Sequence, residues 1–161
     1  MSNIISNQNI DDDVYIDSKY INKNINQIIF NKIVDMYGDK CHSMGYIIKN
    51  SISIIDKSIG IIKTINSKSM VLYKIKLNCD IILPRLNDKI NCIVEKINKA
   101  GMVCYYKYSQ YSSIEYTPII IIVPYTNDIN KYSVGDNIDI VVKSIRIKHN
   151  SDKIQVVGEL V

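Results

Sequence analysis

Tryptophan is absent from this chain and phenylalanine occurs once, as Phe30, so tyrosine carries almost all of the aromatic surface. Long apolar runs are missing too. The longest, from Ile119 to Val123, suits a strand, and nothing approaches the roughly 18 residues of a membrane span. The opening Met1-Ser2-Asn3-Ile4-Ile5 has neither the basic region nor the apolar core of a secretion signal. A soluble, intracellular protein is expected. The cysteines, Cys41, Cys79, Cys92 and Cys104, form no C-x-x-C pair, which argues against the paired knuckles of a structural zinc site. They are expected to be reduced and buried, acting as small hydrophobes.

The usual signatures of chemistry are missing as well. No G-x-x-x-x-G-K cradles a phosphate, no G-x-G-x-x-G greets a dinucleotide, and no G-x-S-x-G presents a nucleophile. His42 and His149 fall in different expected domains, without the carboxylate a catalytic base would use. Cys41-His42 could be a nucleophile pair, but neighbours on an extended segment point to opposite faces. Asp11-Asp12-Asp13 could hold a divalent ion, whereas a charge run near a terminus is ordinarily just solvated. The expectation is therefore a protein that is not an enzyme and has no cofactor and no metal.

What is present is enough for a folded core: 47% of residues are hydrophobic, which excludes wholesale disorder. The length suits one large domain or two small ones. Isoleucine, asparagine and lysine dominate, the mark of an AT-rich genome. A net charge of +4 permits a nucleic-acid or acidic-protein partner without demanding one.

The hydrophobic pattern changes period along the chain. Residues 4–10 fit either an edge strand or a frayed terminus. From Ser18, the residues Ile21, Ile25, Ile28, Ile29, Ile33 and Met36 repeat at helical spacing, and Gly38 offers a left-handed cap. Strands are expected over 45–55, 59–65 and 70–77, with turns at 56–58 and 66–68. Pro84 places a domain boundary near residue 83. Strands over 89–97, 102–107, 119–123, 138–147 and 154–160 then suit a five-stranded OB-type barrel. The predicted architecture is an α+β domain over 1–82, one helix on an antiparallel sheet, followed by an all-β OB-fold barrel over 83–161.

A binding face follows from strand alternation. With Met102, Cys104 and Tyr106 inward, Val103, Tyr105 and Lys107 face out together. On a strand expected to neighbour it, Arg146 and Lys148 alternate with Ile145 and Ile147. Aromatic surface beside cations suits single-stranded RNA, while a solvated tyrosine and ordinary surface lysines fit the same pattern. The cluster Tyr105, Tyr106, Tyr108, Tyr111 and Tyr116 adds a little, since strands favour tyrosine anyway.

In order along the chain, several segments are familiar: Tyr20-Ile21 before the amphipathic helix; Gly38-Asp39-Lys40-Cys41 and then Gly45-Tyr46-Ile47-Ile48; Ile55 to Gly60; Met70 to Tyr73 with Ile75-Lys76; Pro84; Ile90 to Val94; and Asn98-Lys99 with Gly101. From about Val14 to Val161 the chain resembles the stalk subunit of multisubunit DNA-directed RNA polymerases, the family of the eukaryotic polymerase II seventh subunit and the archaeal E subunit. It departs from that pattern in a tip motif one residue shorter between Cys41 and Gly45. It also has Val103 where an exposed aromatic is usual, and Val123-Pro124 where many RNA-binding barrels carry a histidine. The last two departures imply weaker RNA binding.

The resemblance implies a tip domain that docks on the large polymerase core subunits near the clamp base. Its contacts would be Ser43, Met44, Gly45, Asp56, Lys57, Ser58, Ile59, Gly60 and Ile61, with Gly45 and Gly60 allowing close approach. It implies a barrel meeting nascent single-stranded RNA through Val103, Tyr105, Lys107, Arg146 and Lys148, with a helical partner subunit completing the stalk in some members. The trimmed barrel and the composition suggest a copy encoded by a large DNA virus. Such a copy would act in the viral factory of the host cytoplasm, and in the virion, where a cellular one would be nuclear. The alternative is a freestanding OB-fold RNA-binding factor in translation or RNA handling, which leaves the N-terminal domain unexplained.

Overall fold

A computed structural model describes residues 3–22 and 24–161. The described chain is mostly β, with one α-helix and a closed five-stranded barrel compatible with an OB-fold. It divides into two compact units. Of the described residues, one comprises 3–6, 39–46 and 82–161; the other comprises 7–22, 24–38 and 47–81.

The second of these begins with β1 (Ile5–Asp17), most of which belongs to it. Alternation explains β1: Ile10, Val14 and Ile16 are buried while Asp11, Asp13 and Tyr15 face out. The edge strand or frayed end expected over 4–10 is thus part of a longer strand that takes in all three aspartates. Asp12 is occupied as an acceptor, taking a hydrogen bond from the Tyr37 hydroxyl. Helix α1 (Ile25–Tyr37) buries Ile29 and Ile33, one turn apart. It starts later than the periodicity suggested, because 18–20 form a separate 3-10 turn capped by the Asp17 side chain. Ile21 therefore lies before the helix and Met36 stays partly exposed. Gly38 is not the left-handed residue; its φ is −67°, and Asp39 takes φ 53° instead. Gly38 is needed for room, since a Cβ there would lie 2.7 Å from the Val34 carbonyl oxygen.

The strand expected over 45–55 is interrupted. A 3-10 turn at Lys49–Ser51 separates β3 (Gly45–Ile47) from β4 (Ser53–Lys57). β5 (Ile61–Ile65) and the long β6 (Lys68–Ile82) follow. β1 pairs with β6, and β4 and β5 pair antiparallel with successive stretches of it. Asn7, Asn9 and Asn78 exchange side-chain hydrogen bonds across β1 and β6.

The barrel is built from β7 (Lys89–Asn98), β8 (Gly101–Tyr106), β9 (Ile119–Pro124), β10 (Asn137–Arg146) and β11 (Ile154–Leu160), close to the five predicted ranges. Hydrogen bonding runs β7-β8-β9-β11-β10 and returns to β7, with only β9 and β11 parallel. Closure removes the exposed edges that isoleucine-rich strands must avoid. Every second residue fills the interior: Ile90, Cys92 and Val94; Met102 and Cys104; Ile119, Ile121 and Val123; Ile138, Ile140 and Val142; Ile154 and Val156. A 3-10 turn between β9 and β10 adds the fully buried Ile129. The turn from β7 to β8 requires Gly101. Its φ is +142°, and a Cβ would sit 2.1 Å from the Val123 carbonyl oxygen.

The same unit holds β2 (Lys40–His42). The Cys41 N–H donates to the Ser151 carbonyl at 2.8 Å, and the Asn150 N–H to the Cys41 carbonyl at 2.9 Å. β2 thereby clips the loop between β10 and β11.

Candidate nucleic-acid interface and docking edge

Barrel register aligns the outward side chains into rows. One row reads Ile93, Tyr105, Ile120, Gln155, Arg146 across β7, β8, β9, β11 and β10. A second reads Lys96, Val103, Ile122, Val157, Ser144. Val103 and Tyr105 share the outer face, opposite the buried Met102 and Cys104. β10 is not the neighbour of β8, however. One way round the barrel β7 lies between them and the other way β9 and β11 do; the row that joins Tyr105 to Arg146 takes the second path, roughly 14 Å around the wall at strand spacing. Ile120 and Gln155 stand between them in that row, and Ile122 and Val157 are exposed in the next.

The cations gather at one end of the barrel. The parallel pairing of Ile119 with Ile154 sets the loop 107–118 beside the loop 147–153. The Ile154 N–H donates to the Pro118 carbonyl at 2.8 Å. The Lys153 ammonium donates to the Glu115 carbonyl, and to that of Thr117 at 3.3 Å. Lys107, Arg146 and Lys148 are exposed at this end, and among the described residues none is in an ion pair. The adjoining loop exposes Tyr108, Tyr111 and Tyr116. Sequence reasoning noted this tyrosine cluster but did not place it in the site, because the meeting of the two loops depends on a pairing between distant strands.

His42 and His149 are not separated as expected. They lie in the same compact unit, edge to face, with ring centroids 5.0 Å apart. Cys41 is fully buried, and burial, then the Asp152 charge, pushes its thiol up to about 11. A thiol so poised is the reverse of an activated nucleophile. Among the described residues no group of three or more His, Cys, Asp or Glu is placed to hold a metal ion. Asp11, Asp12 and Asp13 instead border an open cleft of about 460 Å³ that Lys74 and Lys76 also line.

The second candidate site is the edge formed by β4 and β5. Every residue of β5 is exposed, and among the described residues its one strand partner is β6. Ile59 is 89% exposed and Ile62 74%, with Ile55, Ile61 and Ile65 also open. The only charged residues over 53–65 are Asp56, Lys57 and Lys63, so the edge is chiefly apolar. An unpaired apolar strand edge is the usual template for another chain.

Of the expected core-contact residues, Asp56, Ile59 and Ile61 are exposed here and Lys57 is half-buried, its ammonium 5.2 Å over the Tyr73 ring. The Ser58 hydroxyl accepts from the Lys74 N–H at 2.9 Å, which ties the run to β6. Gly60 serves packing inside its own unit, since a Cβ would lie 2.6 Å from Val71 Cγ1. Ser43, Met44 and Gly45 belong to the other compact unit, with Ser43 exposed and Gly45 buried. Ile55, Ile62 and Ile65 escaped the sequence reading because strand isoleucines are ordinarily core, and nothing local says which face lacks a cover.

No protein-family model matches the chain, and no curated protein matches it.

Proposed function

We propose that this chain is a non-catalytic stalk subunit of a DNA-directed RNA polymerase. Its α+β unit is the tip, docking on the large core subunits near the clamp base, and its barrel is an OB-fold that meets nascent RNA. The observation that carries this reading is the open isoleucine edge at 55–65. Five large aliphatic side chains left in water along an open strand edge suit a protein that lives docked on a larger host. A freestanding RNA-handling factor gains nothing from such an edge. The barrel supports the second half of the proposal: a closed wall with cations and tyrosines at one end suits weak, salt-dependent contact with an emerging strand.

The chemistry is binding and positioning. Docking favours whichever clamp position makes better contact with the edge, so the subunit biases a mobile element without reacting with anything. The test is affinity purification of the tagged chain from the cells that express it. The expected result is co-elution of the large polymerase subunits in fixed proportion. Elution with ribosomes or RNA alone would overturn the reading and favour the freestanding factor.

A further inference from the structure

Three features compete for attention beyond the docking edge. The aspartate-lined cleft has mixed charge and no observation that points to a ligand. The buried Cys92 and Cys104 face each other diagonally inside the barrel, out of reach of an external reagent. The loop 107–118 is different: it is cross-linked by its own hydrogen bonds, it is open, and it holds side chains whose exposure the fold does not explain.

Tyr111 is 78% exposed and Tyr116 73%. Aromatic rings left in water by a floppy segment would mean little, but this segment is tied down. The Tyr108 and Ser109 N–H groups both donate to the Ser112 hydroxyl, at 3.2 and 3.1 Å. The Ser112 N–H returns to the Ser109 carbonyl at 3.1 Å, and the Tyr116 N–H donates to the Ser113 carbonyl at 3.1 Å. At the far end the buried Thr117 hydroxyl holds the Tyr106 carbonyl at 2.8 Å, and Lys153 grips the Glu115 and Thr117 carbonyls. Tyr106 and Tyr108 already stack on each other, centroids 6.3 Å apart and planes 17° from parallel. Burial pushes both their phenols up, and the nearby Asp39 charge adds to it at Tyr108.

We infer that this tyrosine loop, with Lys107, Arg146 and Lys148 beside it, is where single-stranded nucleic acid binds the barrel. Bases stack on Tyr111 and Tyr116, and the three cations take the phosphates. Charge selects nucleic acid over protein. Among the described residues Lys107, Arg146 and Lys148 are in no ion pair, whereas the Asp152 carboxylate lies 3.8 Å from the Lys153 ammonium. The aliphatic outer wall, with Val103, Ile120 and Ile122, offers neither rings nor cations over most of its width. The inference rests on the RNA-contact half of the proposed function and moves that contact from the strand face to the barrel end.

The test uses the full chain with a fluorescein-labelled oligouridylate and the matching oligothymidylate, which separate RNA from DNA as the source of the strand. Stacking is worth about 1 kcal/mol or more per base, so Tyr111→Ala with Tyr116→Ala should weaken binding about thirtyfold or more. Tyr111→Phe with Tyr116→Phe should bind like the parent, because the ring and not the hydroxyl carries the contact. Lys107→Gln, Arg146→Gln and Lys148→Gln should each flatten the salt dependence by about 0.7 in slope. Urea unfolding should not change in any of these variants, since the side chains are exposed. Parent-like binding by the double alanine variant would overturn the inference. If Tyr105→Ala abolishes binding instead, the contact returns to the strand face and the proposed function stands. If neither oligonucleotide binds while the polymerase subunits still co-purify, the inference and the RNA half fall together and the docking half survives.

Discussion

Replacing Ile59 and Ile62 with aspartate separates folding from docking. Both side chains already sit in water, at 89% and 74% exposure, so neither change opens a cavity. Aspartate fits a strand poorly, but unfolding should shift by no more than about 1 kcal/mol. Docking is another matter. Full burial of an isoleucine side chain is worth about 1.5–3 kcal/mol. Scaled by the exposed fractions, the two side chains have about 2.5–5 kcal/mol to gain on being covered. Their loss corresponds to a weakening between about seventyfold and several thousandfold. The desolvation of two carboxylates adds to it. The assay is co-purification of tagged parent and variant with the large polymerase subunits, with urea unfolding of the isolated chains alongside. An unchanged yield of those subunits from a folded variant would refute the assignment of this edge. Gly60→Trp would be a poor substitute, because its side chain would strike Val71 and Tyr73 before any partner met it.

Three further outcomes are expected. Thr117→Val removes a buried hydroxyl that bonds the Tyr106 carbonyl and accepts from the Ile119 N–H, at a cost of about 1–3 kcal/mol in urea unfolding. Faster amide exchange around 107–118 should accompany it. Gly101→Ala places a methyl against the Val123 carbonyl in a backbone region closed to alanine, and should lower the urea midpoint far more than alanine at the exposed Lys99. Alkaline stability has a defined sign. Burial first, then a nearby aspartate charge, pushes both Cys41 and Cys79 from 9.0 up to about 11. Above pH 9 the unfolded thiols ionise while the folded ones stay protonated, so stability falls as pH rises from 9 to 11, by up to about 5 kcal/mol for the pair. A Cys41→Ala/Cys79→Ala variant should lose less over that interval, and an equal loss would contradict the assignment.

The barrel was the most legible part of the chain because its strands alternate cleanly and are punctuated by Asn98 to Gly101, Pro124 and Val134-Gly135-Asp136. The N-terminal stretch was less so. Three successive aspartates look like a solvated end until Val14 and Ile16 are seen to continue the alternation of Ile10. The helix start was misplaced because Ile21 keeps helical spacing while the chain is still turning at Ser18–Tyr20. Of the candidate site residues, the outward parity of Val103 and Tyr105 could be counted along β8. The place of Arg146 could not, because it depends on β11 entering between β9 and β10, a long-range pairing that leaves no local trace.

That insertion also sets the order of manufacture. β11 is synthesised after both of its partners, and it joins β9 on one side and β10 on the other. Until 154–160 leave the ribosome, β9 waits with the run Ile119 to Ile122 unpaired on one side. A polypeptide stalled or cleaved just before residue 154 would keep that sticky ribbon permanently, and quality-control proteases, not ligands, would be its first visitors.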